Sequence, residues 1–359
     1  MNRQSALTLS ERLSQVSGKL RAWWEHEDQK NPCINMLALK DDHEEIPDTD
    51  DLERFWMDSD FVIKRRMALI DNINYYGQSV PYHYVDFGAS AMPCALGAEA
   101  QFVNKETIWA HPKFETIDEI FDVPLSMENA IYSKIIEVTK KSAQLSSNHH
   151  FVTPYALNGI TDILAGLYGT ENLLIDMMSN KRKVKKAMEY FKCLWIKAFN
   201  DIQEIIRTGK NRGCVGWAGI WAPGTTFPMQ EDLTYMISPD LFREFCIPHI
   251  HDLIDSMDYS LYHLDGIGAI GHLDALLEIK KLHAIQWVPG AGHERLDQWY
   301  DLIKRILGAG KSIQVYAQAD EVESLIKNVG SKGVLISIPD PFTLSSNAEA
   351  QVLLEKYGN

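Results

Sequence analysis

Cysteine is scarce and unpaired in this chain: Cys33, Cys94, Cys193, Cys214 and Cys246 are the five in 359 residues, and no two form a C-x-x-C unit. That excludes a disulfide framework and a cysteine-rich zinc ribbon, and it leaves reduced, mostly buried thiols. No apolar run approaches the roughly 18 residues that a membrane span requires. The N-terminal MNRQSALTLSERLSQ is polar where a secretory leader has its apolar core, so a cytoplasmic protein is expected. Positive charge is in deficit, with 35 Lys and Arg against 49 Asp and Glu for a net charge of −14. A surface of that sign does not suit nucleic acid or an anionic membrane as a partner. Linkers rich in Gly, Ser or Pro, internal repeats and low-complexity tracts are also missing, which favours one elaborated domain over two.

What is present is an alternation of short apolar runs with longer amphipathic stretches. Strand-like runs fall at Ile34–Leu39, Tyr82–Phe87, Phe151–Leu157, Cys214–Trp221, Ser260–His263, Ala284–Val288, Ser312–Tyr316 and Val334–Ile338, with helical patterns between them. Eight strand–helix repeats predict a (β/α)8 TIM barrel in one α/β domain. The pattern assigns residues 1–30 to a helical extension and 31–359 to the barrel, with a hairpin inserted after the second strand at Gln101–Pro112. Ser238-Pro239-Asp240 places a capping hydroxyl before a proline at the first helical position, a helix start.

Barrel chemistry collects where strands run out into loops at the C-terminal face. His263 and Asp265 end the fifth strand two residues apart, so both project to one side. An imidazole nitrogen beside a carboxylate is an acceptable zinc pair, and it is equally an Asp orienting a hydrogen-bonded His. Asp86 follows the second strand and precedes Gly88; it reads as a general acid if burial raises its pKa, or as a cap on its own loop. Glu99 and His111 flank the hairpin, and Glu99 is carried forward as a third metal ligand. His83, Phe87, Asn158, Trp217, Trp221, Trp287, Tyr316 and Gln318 lie in or just after strands and form the expected substrate-binding set, with Asp340 after the eighth strand. Aromatic rings at such a mouth suit a flat apolar ligand.

The segment Ile237–Phe245 with Cys246-Ile247-Pro248, the stretch Gly159–Gly169 with Glu171-Asn172-Leu173-Leu174, and His263-Leu264-Asp265-Gly266 resemble the uroporphyrinogen decarboxylase superfamily. The likeness runs from the first strand to the eighth and itself implies a (β/α)8 barrel. Two activities follow from it: cofactor-free decarboxylation of uroporphyrinogen, and zinc-dependent methyl transfer involving corrinoid proteins. The decarboxylases grip a polycarboxylate with an Arg-rich loop after the first strand, whereas this chain has Lys40-Asp41-Asp42-His43-Glu44-Glu45 there. An acidic lip repels such a substrate.

Thiol-activating methyltransferases of the superfamily use His-x-Cys and a later Cys as zinc ligands. Here Asp265 stands in the Cys position and no Cys follows Cys246. A harder, oxygen-bearing site suits activation of an oxygen or nitrogen substrate. The resemblance therefore implies a methyltransferase acting on a small methoxylated or methylamine substrate, with zinc or a general acid at the mouth and Asp86, His263 and Asp265 as its catalytic residues. No Asp-x-His-x-x-Gly motif is present, so a corrinoid would come with a separate protein. Gly266–Gly271 matches G-x-G-x-x-G without a dinucleotide-binding context. The alternative is metal-free lyase, decarboxylase or hydrolase chemistry with Asp86 and Asp265 on a small polar substrate. A homodimer is the expected assembly of a soluble enzyme.

Overall fold

Nearly every short aliphatic run becomes a strand in the computed structural model, which describes residues 8–121, 123–207, 213–338 and 344–357. The strands are β1 (Cys33–Leu39), β2 (Ile73–Gly77), β3 (Tyr82–Tyr84), β4 (Glu99–Phe102), β5 (Ile108–His111), β6 (Phe151–Thr153) and β7 (Cys214–Val215). They continue with β8 (Trp221–Ala222), β9 (Thr226–Met229), β10 (Tyr259–Asp265), β11 (Ala284–Val288), β12 (Ser312–Tyr316) and β13 (Val334–Ile338). Seven of them form one sheet in the order β2-β1-β13-β12-β11-β10-β9. It is parallel except where β2 runs antiparallel to β1.

β3 pairs with β6, β4 with β5, and β7 with β8, each as a separate two-stranded unit. Among the described residues no main-chain ladder joins β3–β6 to an edge of the seven-stranded sheet. The chain is thus a mixed α/β domain around a mostly parallel sheet, and its strand ladders do not close the expected eight-stranded ring.

β11, β12 and β13 fall where the apolar runs predict them, because parallel strands covered on both faces read as continuous buried stretches. The fourth expected strand, at 214–221, is corrected. Gly219 at φ +74° donates its N–H to the Gly216 carbonyl at 2.9 Å, and this turn folds β8 back on β7. The strand that joins the sheet is instead β9, whose Pro228 argues against a strand in the sequence but is tolerated because β9 lies at the sheet edge. β2 was also not expected, and the hairpin β4–β5 begins two residues and ends one residue earlier than its pattern suggests.

Alternation divides each strand between two cores. Ile34, Met36, Tyr262, Leu264, Ile285, Trp287, Ile313, Val315, Val334 and Ile336 pack in the larger core with the surrounding helices. The 27-residue helix Lys181–Arg207 presents Val184, Met188, Phe191, Trp195, Phe199, Ile202 and Ile206 to that core at three- and four-residue spacing. Burying a side chain of this size is worth about 2–3 kcal/mol.

The other face meets the N-terminal helix Leu9–Trp24, which opens with a capping box between Thr8 and Glu11. Its Val16, Leu20, Trp23 and Trp24 share a smaller core with Cys33, Phe151, Val215, Leu261, Ala284 and Leu335, which lie within the first three residues of β1, β6, β7, β10, β11 and β13. Strand starts from three separate sheets therefore converge on one helix. At the opposite side β10, β11 and β12 end in Asp265, Val288 and Tyr316.

Candidate functional site

The inner sides of β1 and β10–β13 are polar where neighbours are apolar. Asn35, Gln286, Gln314 and Ser337 are all buried, and His263 is nearly so. Register explains their meeting: His263 stands opposite Gln286 and Gln286 opposite Gln314, while Tyr316 stands opposite Ser337 and Ser337 opposite Asn35. His263 Nδ1 hydrogen-bonds Gln286 Oε1, and the Gln286 amide nitrogen donates to Gln314 Oε1 at 2.8 Å and to Tyr316 Oη at 2.9 Å. Trp217 lies edge-on to the His263 ring at 5.2 Å and is itself pinned by a 3.0 Å bond from its indole N–H to the Pro228 carbonyl.

At the outer end of this row stand Asp265, the last residue of β10, and Asp232, which follows β9. Ligand atoms of Asp232, His263 and Asp265 lie within 4.8 Å of one another, and both carboxylate residues are reachable from solvent. Burial pushes the Asp232 carboxyl up to about 8, with the charges of Asp162, Asp265 and Glu231 adding to it. Burial also lowers the His263 pKa, against the opposing pull of Asp265 and Gln286. The site thus gathers two carboxyl groups around one imidazole, with Asp232 holding its proton until a cation arrives to replace it. It repels a further anion and attracts a cation.

Asp232 is held from behind by a reciprocal clamp. Glu231 caps the helix Ile160–Tyr168, accepting from the N–H of Ile160 at 3.0 Å and of Thr161 at 2.8 Å. Asp162, on that helix, accepts in return from the N–H of Asp232 at 3.0 Å and of Leu233 at 2.8 Å. His249 Nε2 reaches Glu231 at 2.6 Å from just beyond a π-helical turn at Phe242–Cys246. Burial works to raise the Glu231 carboxyl, but His249 and Thr161 outweigh it and hold it below the ordinary value. Burial and then Glu231 raise Asp162 to about 6.

Glu231, Cys246 and His249 form a second grouping with metal-ligand spacing. There, however, the Glu231 oxygens already receive Ile160 N–H, Thr161 N–H, the Thr161 hydroxyl and His249. A carboxylate offers about four lone-pair sites, so this one is filled by the fold. Among the described residues, the Asp232, His263 and Asp265 group is the one whose carboxylates face solvent, and its N/O donor set fits zinc.

Of the residues singled out in the sequence, the structure brings His263, Asp265, Trp217 and Tyr316 to one place. Trp287 is corrected to the helix-side core, where it packs on Trp299 at 5.2 Å, because it alternates with the inward Gln286. His83 likewise faces the helices, donating or accepting at 2.7 Å with the Ser142 hydroxyl. Phe87 is buried in the main core, and Trp221 belongs to the smaller core beside Trp24. Asn158 is spent on structure: its side chain accepts from Met92 N–H and donates to the Ala89 carbonyl. Gln318 is exposed at the start of a helical turn, where its N–H donates to Glu321.

Glu99 is exposed on the hairpin opposite His111 and belongs to neither metal-like group. Asp86 accepts from Gly88 N–H at 2.9 Å, and burial raises its pKa against Arg66. Its charged neighbours are thus different from those of Asp265. Asp340 lies outside the described residues.

Asp232, Glu231, Asp162, Gln286 and Gln314 were not among the expected site residues. The Gln230-Glu231-Asp232 run marked the spot, but only for a reader who had accepted a proline-containing strand before it.

No protein-family model matches the chain, and no curated protein does. Among solved structures, a methyltransferase from Methanosarcina mazei is similar, with a TM-score of 0.62 and 13% sequence identity over 98% of this chain and 98% of that one. The chain shares that protein's fold.

Proposed function

We propose that the chain is a methyltransferase whose strands form a (β/α)8 barrel, and that it moves a methyl group from a small methoxylated or methylamine substrate to a separate corrinoid protein. The observation that carries the reading is the convergence of Asp232, His263 and Asp265 ligand atoms within 4.8 Å at the C-terminal ends of β9 and β10. The near end-to-end likeness in fold to a methyltransferase supports it.

His263 Nε2 and the carboxylates of Asp232 and Asp265 would hold zinc, which supplies a Lewis acid that draws electron density from the substrate's oxygen or nitrogen. A reduced corrinoid on the partner would supply the electron pair that takes the methyl carbon, and the oxygen or nitrogen left with the pair of the broken bond would take up a proton from solvent at the exposed Asp232 and Asp265. Within this chain, Trp217 holds the imidazole plane and offers an apolar wall to the methyl-bearing group. Gln286 holds the imidazole from behind, and the Glu231–Asp162 clamp fixes the backbone from which Asp232 projects.

The test pairs zinc analysis of the purified protein with methyl transfer to a reduced corrinoid acceptor across methoxyaromatic and methylamine panels. About one zinc per chain, lost in His263→Ala and Asp265→Ala, together with turnover of one panel, is the expected result. No zinc after zinc is supplied would overturn the metal reading and leave Asp86, Asp232 and Asp265 as the carboxylates of a metal-free lyase or hydrolase.

A further inference from the structure

Which nitrogen of His263 carries the proton is decided by a backbone carbonyl two side chains away. The carbonyl oxygen of Ala218 can only accept, and the polar atom of Gln314 facing it at 3.2 Å must therefore be the amide nitrogen. The same nitrogen gives its other hydrogen to Ser337 Oγ at 3.0 Å. Gln314 Oε1 is then turned to Gln286 and accepts from its amide nitrogen at 2.8 Å. That nitrogen's second hydrogen goes to Tyr316 Oη at 2.9 Å, so Gln286 in turn presents only its oxygen to His263. An oxygen acceptor facing Nδ1 demands a proton on Nδ1. Nε2 keeps its lone pair and points to Asp265, 3.9 Å away.

Neither glutamine can be flipped alone. Turning Gln286 would set its oxygen against Gln314 Oε1, and turning both would set Gln314 Oε1 against the Ala218 carbonyl. Each such contact brings two acceptors together in a dry interior and leaves a buried group unpaired, a loss of about 1–3 kcal/mol apiece. All three glutamine and serine members are buried, at 0% exposure for Gln286 and Gln314 and 2% for Ser337, so water cannot restore the missing bonds.

We infer that Gln286 and Gln314 are positioning residues that lock His263 in the Nδ1–H tautomer, so that Nε2 stands ready with its lone pair toward Asp265. The lock belongs to the fold and operates whether or not anything is bound. Its use, presenting a ligand atom to a metal, rests on the reading given under Proposed function. Gln314 bonds to Gln286, Ala218 and Ser337 rather than to His263, Asp232 or Asp265, which makes its effect a test of the relay rather than of local contact.

The decisive measurement is the pair of imidazole nitrogen shifts of His263 in metal-free protein, by long-range proton–nitrogen correlation at a pH where the ring is neutral. The expected result in the wild type is one tautomer with the proton on Nδ1. Gln286→Leu should show the other tautomer in substantial population, whereas Gln286→Glu, which keeps an oxygen facing Nδ1 at the cost of setting a second one against Gln314 Oε1, should keep the proton on Nδ1 when read at a pH high enough to leave the ring neutral beside the new charge. Gln314→Leu should show a smaller but visible mixture. A wild type with both tautomers, or with the proton on Nε2, overturns the inference without any variant needing to fold.

Zinc affinity, read by competition with a chelator, separates this from the functional reading. A locked tautomer with a 10- to 100-fold weaker zinc site in Gln286→Leu, the range about which such partners act, supports both. A locked tautomer in a protein that takes no zinc leaves the lock standing and removes the metal role.

Discussion

His263 Nε2 and Asp265 Oδ2 are 3.9 Å apart, too far for a hydrogen bond and close to the separation that one ion imposes on two of its ligands. Tetrahedral zinc with ligands near 2.1 Å holds them about 3.4 Å from each other. The pair needs to move by only a few tenths of an ångström to share an ion, and Asp232 completes a third corner.

Removing that third corner should weaken metal binding without disturbing the fold. Asp232→Asn keeps size and hydrogen-bonding capacity but gives up the charge, and zinc affinity should fall by about 100-fold or more, beyond the effect of disturbing a ligand's partner. Chelator competition with matched circular dichroism reads this. An unchanged affinity would take Asp232 out of the site.

The clamp predicts a stability effect. Glu231→Ala leaves the N–H groups of Ile160 and Thr161 and the ring of His249 without their acceptor in a buried setting. Breaking such a pair on one side costs about 3–5 kcal/mol. The urea midpoint should fall accordingly, and a loss under about 1 kcal/mol would show that the network is not what secures the loop.

His150 makes stability depend on pH on the acid side. Burial lowers its pKa to about 4 from the ordinary 6.5, with His149 adding to that and Asp71 opposing. The unfolded chain therefore binds a proton between about pH 6.5 and 4 that the folded chain refuses, and stability rises with pH through that window. The contribution is fully present above 6.5 and lost as pH falls toward 4, at most about 3 kcal/mol for a shift of this size. Urea melts at pH 5 and 7.5 should differ in that direction, and the difference should shrink in His150→Phe.

Two glycines should respond oppositely to alanine. Gly77 sits at φ +59°, and a Cβ there would lie 1.9 Å from the Ile34 carbonyl oxygen, so Gly77→Ala should cost several kcal/mol, about the range of a strained backbone plus a displaced strand. Gly18 lies inside the helix Leu9–Trp24 with open space around it. Gly18→Ala should add about 0.5–1 kcal/mol. Thermal melts of the two variants check both signs.

Sheet strands buried on both faces were legible because apolar runs of five or so residues, bounded by turn residues, have few other uses; β11 to β13 are the clear cases. The Ser238 cap was legible for a local reason, and the structure has Leu241 N–H donating to its hydroxyl at 3.3 Å. His263 and Asp265 could be paired because the two-residue period of a strand is rigid. Asp232 could not be, since its place depends on β9 being an edge strand, a fact of the whole sheet. The outward turn of Trp287 and His83 follows from strand phase: a strand that ends in a polar residue says nothing about which residue of an adjacent pair faces inward until one neighbour's register is known. The glutamine relay carries no sequence signal at all, because Gln286 and Gln314 meet only through pairing of β11 with β12.

The helix Leu9–Trp24 precedes every strand it packs against, yet its Trp23 indole donates to the carbonyl of Ile313, 290 positions later in the chain. Contacts of such separation carry a high loop-closure cost and form late. The helix is therefore expected to keep its two tryptophans uncovered until the last strands arrive, closing the fold rather than seeding it. In pulse-labelled hydrogen exchange during refolding, protection of its amides should lag behind that of β11 and β12.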